Sequence, residues 1–211
     1  MLAALLLAAI ANVMAVPNVP DSGKVSPRPV EQRLELELNP AARIWSGSLL
    51  ATLEFHGTSR RIDLRLAGPT VSRVEITDGL GRVDLSWGVA GDSVLTVETG
   101  RAIQPGRASL SVGFDGEWRA ATPGIARDSA HTRARLARGS GIAFPAWPDS
   151  AAPTRWTLMV HAPRDYEVRA SGRRTGIDEA PGWRTWTFRT AEPVPADSLR
   201  VSVRRPAAAA K

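Results

Sequence analysis

The chain has 211 residues, 43% hydrophobic and 23% charged, with 27 basic against 21 acidic residues and a formal net charge of +6. It contains no cysteine, which excludes disulfides, thiolate nucleophiles and zinc–cysteine sites. Arginine carries nearly all the positive charge, and it alternates with acids and apolar residues, as in Arg60-Arg61-Ile62-Asp63-Leu64-Arg65-Leu66. That pattern is a solvated sheet face and argues against a nucleic-acid partner.

In chain order, the apolar run Leu2–Ala11 has the length of a signal-peptide core and is too short for a stable membrane span. Val13 and Ala15 supply small residues before a cut, so residues 1–15 read as a signal peptide and the chain as exported, periplasmic or secreted. Residues 16–30, rich in Pro, Ser, Gly and Asn, read as a linker. A single domain is expected over 31–203, followed by a flexible tail, 204–211.

From Glu31 the hydrophobic period is two. Leu34, Leu36 and Leu38 form one set, and Leu49, Ala51, Leu53 and Phe55 the next. Ile62, Leu64 and Leu66 follow, then Val71, Val74 and Ile76, then Leu110, Val112 and Phe114. Later come Trp156, Leu158 and Val160; Tyr166, Val168 and Ala170; Trp186 and Phe188; and Leu199, Val201 and Val203. Gly, Pro, Asp and Ser punctuate these runs and no window carries a helical stripe. The expected fold is all-β, an antiparallel sandwich or saddle of about ten to thirteen strands.

Residues 117–140 interrupt the rhythm and carry Arg119, Arg127, Arg133, Arg135 and Arg138 against Glu117 and Asp128. Two readings stand: a long solvated loop, or a loop whose arginines, Arg127, Arg133 and Arg135 among them, contact an anion or a partner. The seven tryptophans also have two readings, core filling or an exposed stacking surface built around Trp147 and Trp183.

Catalytic chemistry finds no foothold. His56, His131 and His161 lie in separate runs without H-E-x-x-H spacing, and no G-x-S-x-G elbow or phosphate-cradling glycine loop is present. No catalytic or metal-ligating residue is assigned, and the chain by itself does not read as an enzyme.

The order of motifs resembles the N-terminal β domain of aminopeptidase N-like zinc metallopeptidases. LELELNPAARIWSGSLLATLEF is similar to that family's first hairpin, with Gly47 at its glycine. IDLRLAGPTVSRVEI and VLTVETGRAIQPGRASLSVGFDGE resemble the following strand pairs, with Gly116 at the terminal glycine. GIARDS, opening on Gly124, stands for Gly-Leu-Tyr-Arg-Ser, with Ala126 where tyrosine is usual. FPAWPDS resembles F-P-C-x-D-E-P: Phe144 and Pro145 match, and Ala146 replaces the cysteine.

The resemblance implies a saddle-shaped cap for a thermolysin-like catalytic domain, which would hold the zinc; this chain holds no cofactor of its own. The family's substrate-pocket Gln or Glu falls among Ala134, Arg135 and Leu136, so no pocket residue is carried over. The implied role is substrate positioning, or docking to a catalytic domain or another protein. The alternative is a stand-alone secreted module binding carbohydrate or peptide. A cap is expected to expose a contiguous apolar patch on one sheet face, and a buried Trp147 with polar faces would oppose that.

Overall fold

The computed structural model describes residues 27–206 apart from Asp92 and Ser150. The proposed signal peptide, most of the linker and residues 207–211 therefore lie outside the described residues. The strands are β1 (Arg28–Glu37), β2 (Ile44–Phe55), β3 (Ser59–Arg65), β4 (Thr70–Asp78), β5 (Gly81–Val83), β6 (Leu85–Ala90), β7 (Val94–Ile103) and β8 (Gly106–Glu117). They continue with β9 (Gly124–Arg127), β10 (Arg133–Ala137), β11 (Arg155–Pro163), β12 (Glu167–Ala170), β13 (Arg173–Ala180), β14 (Trp183–Arg189) and β15 (Arg200–Arg204). One 3-10 turn, Ala196–Ser198, precedes β15.

Three sheets result: an eight-stranded one ordered β13-β14-β11-β1-β2-β8-β4-β5, a four-stranded one ordered β12-β15-β10-β9, and a three-stranded one ordered β3-β7-β6. The alternating sets read from the sequence supply the inward side chains, and all three sheets share one apolar core. The all-β class stands, with fifteen strands instead of ten to thirteen, because β5, β9 and β10 are too short to show several periods. One pairing is parallel: β1 runs beside β11 with Leu34 opposite Leu158 and Leu36 opposite Val160.

Arg28–Val30 belong to β1, and Pro29 is tolerated there because β11 does not reach it and the register with β2 slips beside it. At the other end Arg205 is tied down: its amide donates to the Thr132 carbonyl at 3.0 Å, and its guanidinium meets Asp165 at 2.8 Å.

Two cross-strand pairs between β2 and β8 set an aromatic ring over a glycine: Trp45 opposite Gly116 and Phe114 opposite Gly47. A Cβ on Gly47 would lie 2.7 Å from the Phe114 ring, and one on Gly116 would run into the Trp45 indole. These glycines are backbone-to-ring contacts, which also lets Trp45 and Phe114 meet edge-on at 6.1 Å.

Across the core, Arg101 of β7 grips Asp78 of β4 with two bonds of 2.6 Å, linking the small sheet to the large one. The Arg101 hydrogen bonds hold the Asp78 carboxyl down at about 2, below its ordinary 3.8, with the Leu80 amide contributing.

Two outcomes follow. Gly116→Ala should destabilise the fold by about 1–3 kcal/mol, read as a lower urea midpoint, because the ring has no room to retreat. Because the folded-state value of Asp78 is depressed, its stabilisation is complete above the unfolded carboxylate value and lost as pH falls from about 4 toward 2. Melting temperatures of Asp78→Asn should therefore lie below those of the parent at neutral pH and converge with them toward pH 2.

Candidate functional site

The segment from Gly139 to Trp147 crosses from β10 back to the large sheet and is buried for most of its length. Phe144 is fully buried and meets Trp156 edge-on at 5.9 Å. Pro145 is buried beside it, and Ala146 exchanges backbone hydrogen bonds with Arg65 at 2.7 and 3.0 Å, extending β3. Trp147 is only 6% exposed, and its indole N–H donates to the Gln32 side-chain oxygen, whose amide donates in turn to the Thr154 hydroxyl.

The position of Trp147 corrects the stacking reading: both ring and polar edge are used inside the protein. Trp183 is half-buried on β14 of the eight-stranded sheet, whereas the exposed Trp87 lies on β6 of the three-stranded one. Among the described residues the exposed large apolar side chains are Val30, Ile44, Leu80, Trp87, Val89 and Ile177, of which Trp87 and Val89 share one face of β6.

The supposed arginine loop contains a pair of strands, β9 and β10, and alternation splits its arginines. Arg127 sits opposite Ala134, on the inward side. It donates to the carbonyls of Pro40 at 3.0 Å and Ala42 at 2.7 Å and lies 5.3 Å over the Trp118 ring. The Trp118 indole N–H donates to the same Ala42 carbonyl, so Arg127 serves as a clamp on the β1–β2 connection. Gly124 opens β9 at φ +103, with Arg119 and Ile142 packed where a Cβ would go.

Asp128 shapes the turn into β10. Its carboxylate accepts from the Thr132 hydroxyl and from the amides of Thr132 and Arg133 at 2.8–3.0 Å. Burial, the largest single influence, works to raise its pKa, but these hydrogen bonds together hold it below the ordinary value. Past that turn, Arg133 and Arg135 project outward from β10 and are exposed.

Two open clefts flank Ile142. One, of about 660 Å³, is lined by Arg65, Arg138, Ser140 and Asp197; the other, of about 540 Å³, by Trp45, Asp115, Trp118 and Arg119. Neither is lined by a histidine, so Ser140, whose buried hydroxyl has no hydrogen-bond partner, has no imidazole beside it. His161 bonds the Thr185 hydroxyl at 2.8 Å and His56 lies 3.8 Å from Glu54. Among the described residues no three potential ligands converge, so the side chains present do not fit a zinc centre. Asp178 and Glu179 lie on the exposed strand β13, where Glu179 pairs with Arg164 and Arg184.

Substitution separates the two arginine classes. Arg127→Ala leaves two carbonyls and the Trp118 ring without their cation and should cost about 1–3 kcal/mol of stability. Arg135→Ala should change stability by no more than about 0.5 kcal/mol, since its side chain stands in solvent. Urea unfolding of both variants tests the contrast.

Among solved structures, the chain is similar to the M1 zinc metallopeptidase from Deinococcus radiodurans, with a TM-score of 0.71, 24% identity, and coverage of 85% of this chain and 42% of that one. A variant of a two-domain M1 zinc metallopeptidase bound to L-arginine matches with a TM-score of 0.70, 23% identity and the same coverage. A variant of the Deinococcus radiodurans protein bound to a Tyr-Ser-Ala substrate gives 0.69 at 24% identity. No protein-family model matches the sequence, and no curated protein matches it. This chain spans less than half the length of the metallopeptidases it matches, and shares with them the fold of a metallopeptidase β domain.

Proposed function

We propose that this chain acts as a non-catalytic β domain of aminopeptidase N type, docking against a catalytic domain or another protein partner and helping to position substrate. The observation that carries the reading is the coverage: 85% of this chain superposes on 42% of two-domain zinc metallopeptidases. The motif order from LELELN to FPAW supports the same placement. Zinc and peptide-bond chemistry would then belong to the partner. An exported location forms part of the proposal, on the strength of the Leu2–Ala11 run.

The substrate side of this role would differ from the family's. The positions where the pocket Gln or Glu is expected are filled by Ala134 and Leu136, buried at 0% and 1% exposure, and by the outward Arg135. No polar group at Ala134 or Leu136 faces a neighbouring site, so docking is the stronger half of the proposal.

Affinity purification of the tagged chain from its native cells tests it. A protein or downstream segment carrying H-E-x-x-H should co-purify in stoichiometric amount and bring chelator-sensitive aminopeptidase activity. Recovery of the chain free of any metallopeptidase, or chelator-sensitive turnover by the pure chain alone, would overturn the reading.

A further inference from the structure

The outer face of the four-stranded sheet is rich in arginine. In β10, β12 and β15 the inward positions are Ala134, Leu136, Val168, Val201 and Val203. Five of the eight outward positions are arginine, Arg133, Arg135, Arg169, Arg200 and Arg204, the others being Ala137, Glu167 and Ser202. Strand pairing arranges these in rows: Glu167–Arg204–Arg133, then Arg169–Ser202–Arg135.

Arg204 is matched by Glu167 at 3.0 Å, and Arg200 folds back onto the carbonyls of Asp197 and Leu199. Arg133, Arg135 and Arg169 are exposed and enter no ion pair among the described residues. Outward positions repeat every ~6.8 Å along a strand and strands lie ~4.8 Å apart, so the three cations form a triangle with sides of roughly 7 to 12 Å.

Neighbouring like charges on one sheet face oppose folding. On the other sheets several strand arginines are set beside acids: Arg61 pairs with Asp63 on β3, Arg33 with Glu35 on β1, and Arg73 and Arg82 share Glu75, while Arg173 and Arg189 stand opposite one another on β13 and β14. The four-stranded sheet instead gathers three arginines on one face, and the one acid in their rows, Glu167, is already engaged by Arg204.

We infer that this face is a docking surface for an acidic protein segment, whose carboxylates engage Arg133, Arg135 and Arg169. A guanidinium fork matches a carboxylate bidentately, and carboxylates at alternate positions of an extended segment repeat at the ~7 Å spacing of Arg133 and Arg135. Nucleic acid fits less well, because the rows hold no aromatic platform and Glu167 and Asp165 border the face. A membrane surface fits less well because the apolar residues beside the arginines are only Ala126 and Ala137, with no large side chain to insert. The inference rests on the docking role only in taking a protein as partner.

The test measures binding of a fluorescein-labelled poly-glutamate peptide to the full chain by anisotropy, in parallel with duplex DNA and phosphatidylserine vesicles. No catalytic domain is present, so its failure is distinct from failure of metallopeptidase capture. The peptide should bind most tightly of the three and weaken with salt. R135A/R169A, checked for an unchanged melting temperature, should weaken it by about tenfold or more, and R135K/R169K by less. R135E/R169E should lose the poly-glutamate peptide and gain binding to poly-lysine. Equal peptide affinity in the alanine variant, or tighter binding to DNA or vesicles, would overturn the inference.

Discussion

The buried crossing from Gly139 to Trp147 is the constraint on which the rest of the architecture depends, because it touches all three sheets. Ala146 adds backbone hydrogen bonds to the edge of β3 in the three-stranded sheet, and Trp147 reaches Gln32 of β1 in the large one. Gly139 leaves room for Leu136 of β10 in the four-stranded sheet, whose side chain occupies the place of a missing Cβ. A segment so placed could not be a helix, which would need its own hydrogen-bond ladder in a space already crossed by strands. Pro145 suits it because the backbone bonds to β3 are made by Ala146, the next residue, and need no amide at 145. The crossing also explains the parallel pairing, since it delivers the chain to β11 running in the direction of β1.

Much of the fold is legible because burial on one face of a strand writes itself into the sequence with period two. Leu34, Leu49, Ile62, Leu110, Leu158 and Val201, all inward by that period, are each at most 2% exposed. What is not legible is what depends on partners distant in sequence. β10 offers only RARLA, five residues, too few for a period to stand out among five arginines in twenty-four residues. Its identity as a strand comes from Val201 and Val203 of β15, more than sixty residues later. The parallel register of β1 and β11 is of the same kind.

The candidate site shows the same division. Trp147 stands out by its neighbours in sequence, but its surroundings are set by Gln32 and Thr154, more than a hundred residues away from one another. Arg127 and Arg135 look equivalent along the chain. Eight residues apart with a turn between, they fall on opposite faces, and one becomes a clamp while the other meets solvent. The signal that could reveal the arginine face is present in three fragments, RARLA, EVRA and RVSVR, each placing arginine where an outward residue belongs. Only the order β12-β15-β10 brings the fragments together.

The same alternation governs how the domain can associate. With three sheets closing on one core, most large apolar side chains find their contacts inside, and few are left exposed among the described residues. A surface of this composition recognises partners through charge and hydrogen bonding. That favours selectivity and rapid encounter over permanence, and it weakens with ionic strength. An obligate interface, by contrast, resembles a domain core cut in half. For the proposed docking role, the described surface suits attachment by complementary charge, and the rows of β12, β15 and β10 are where exposed arginines gather for it.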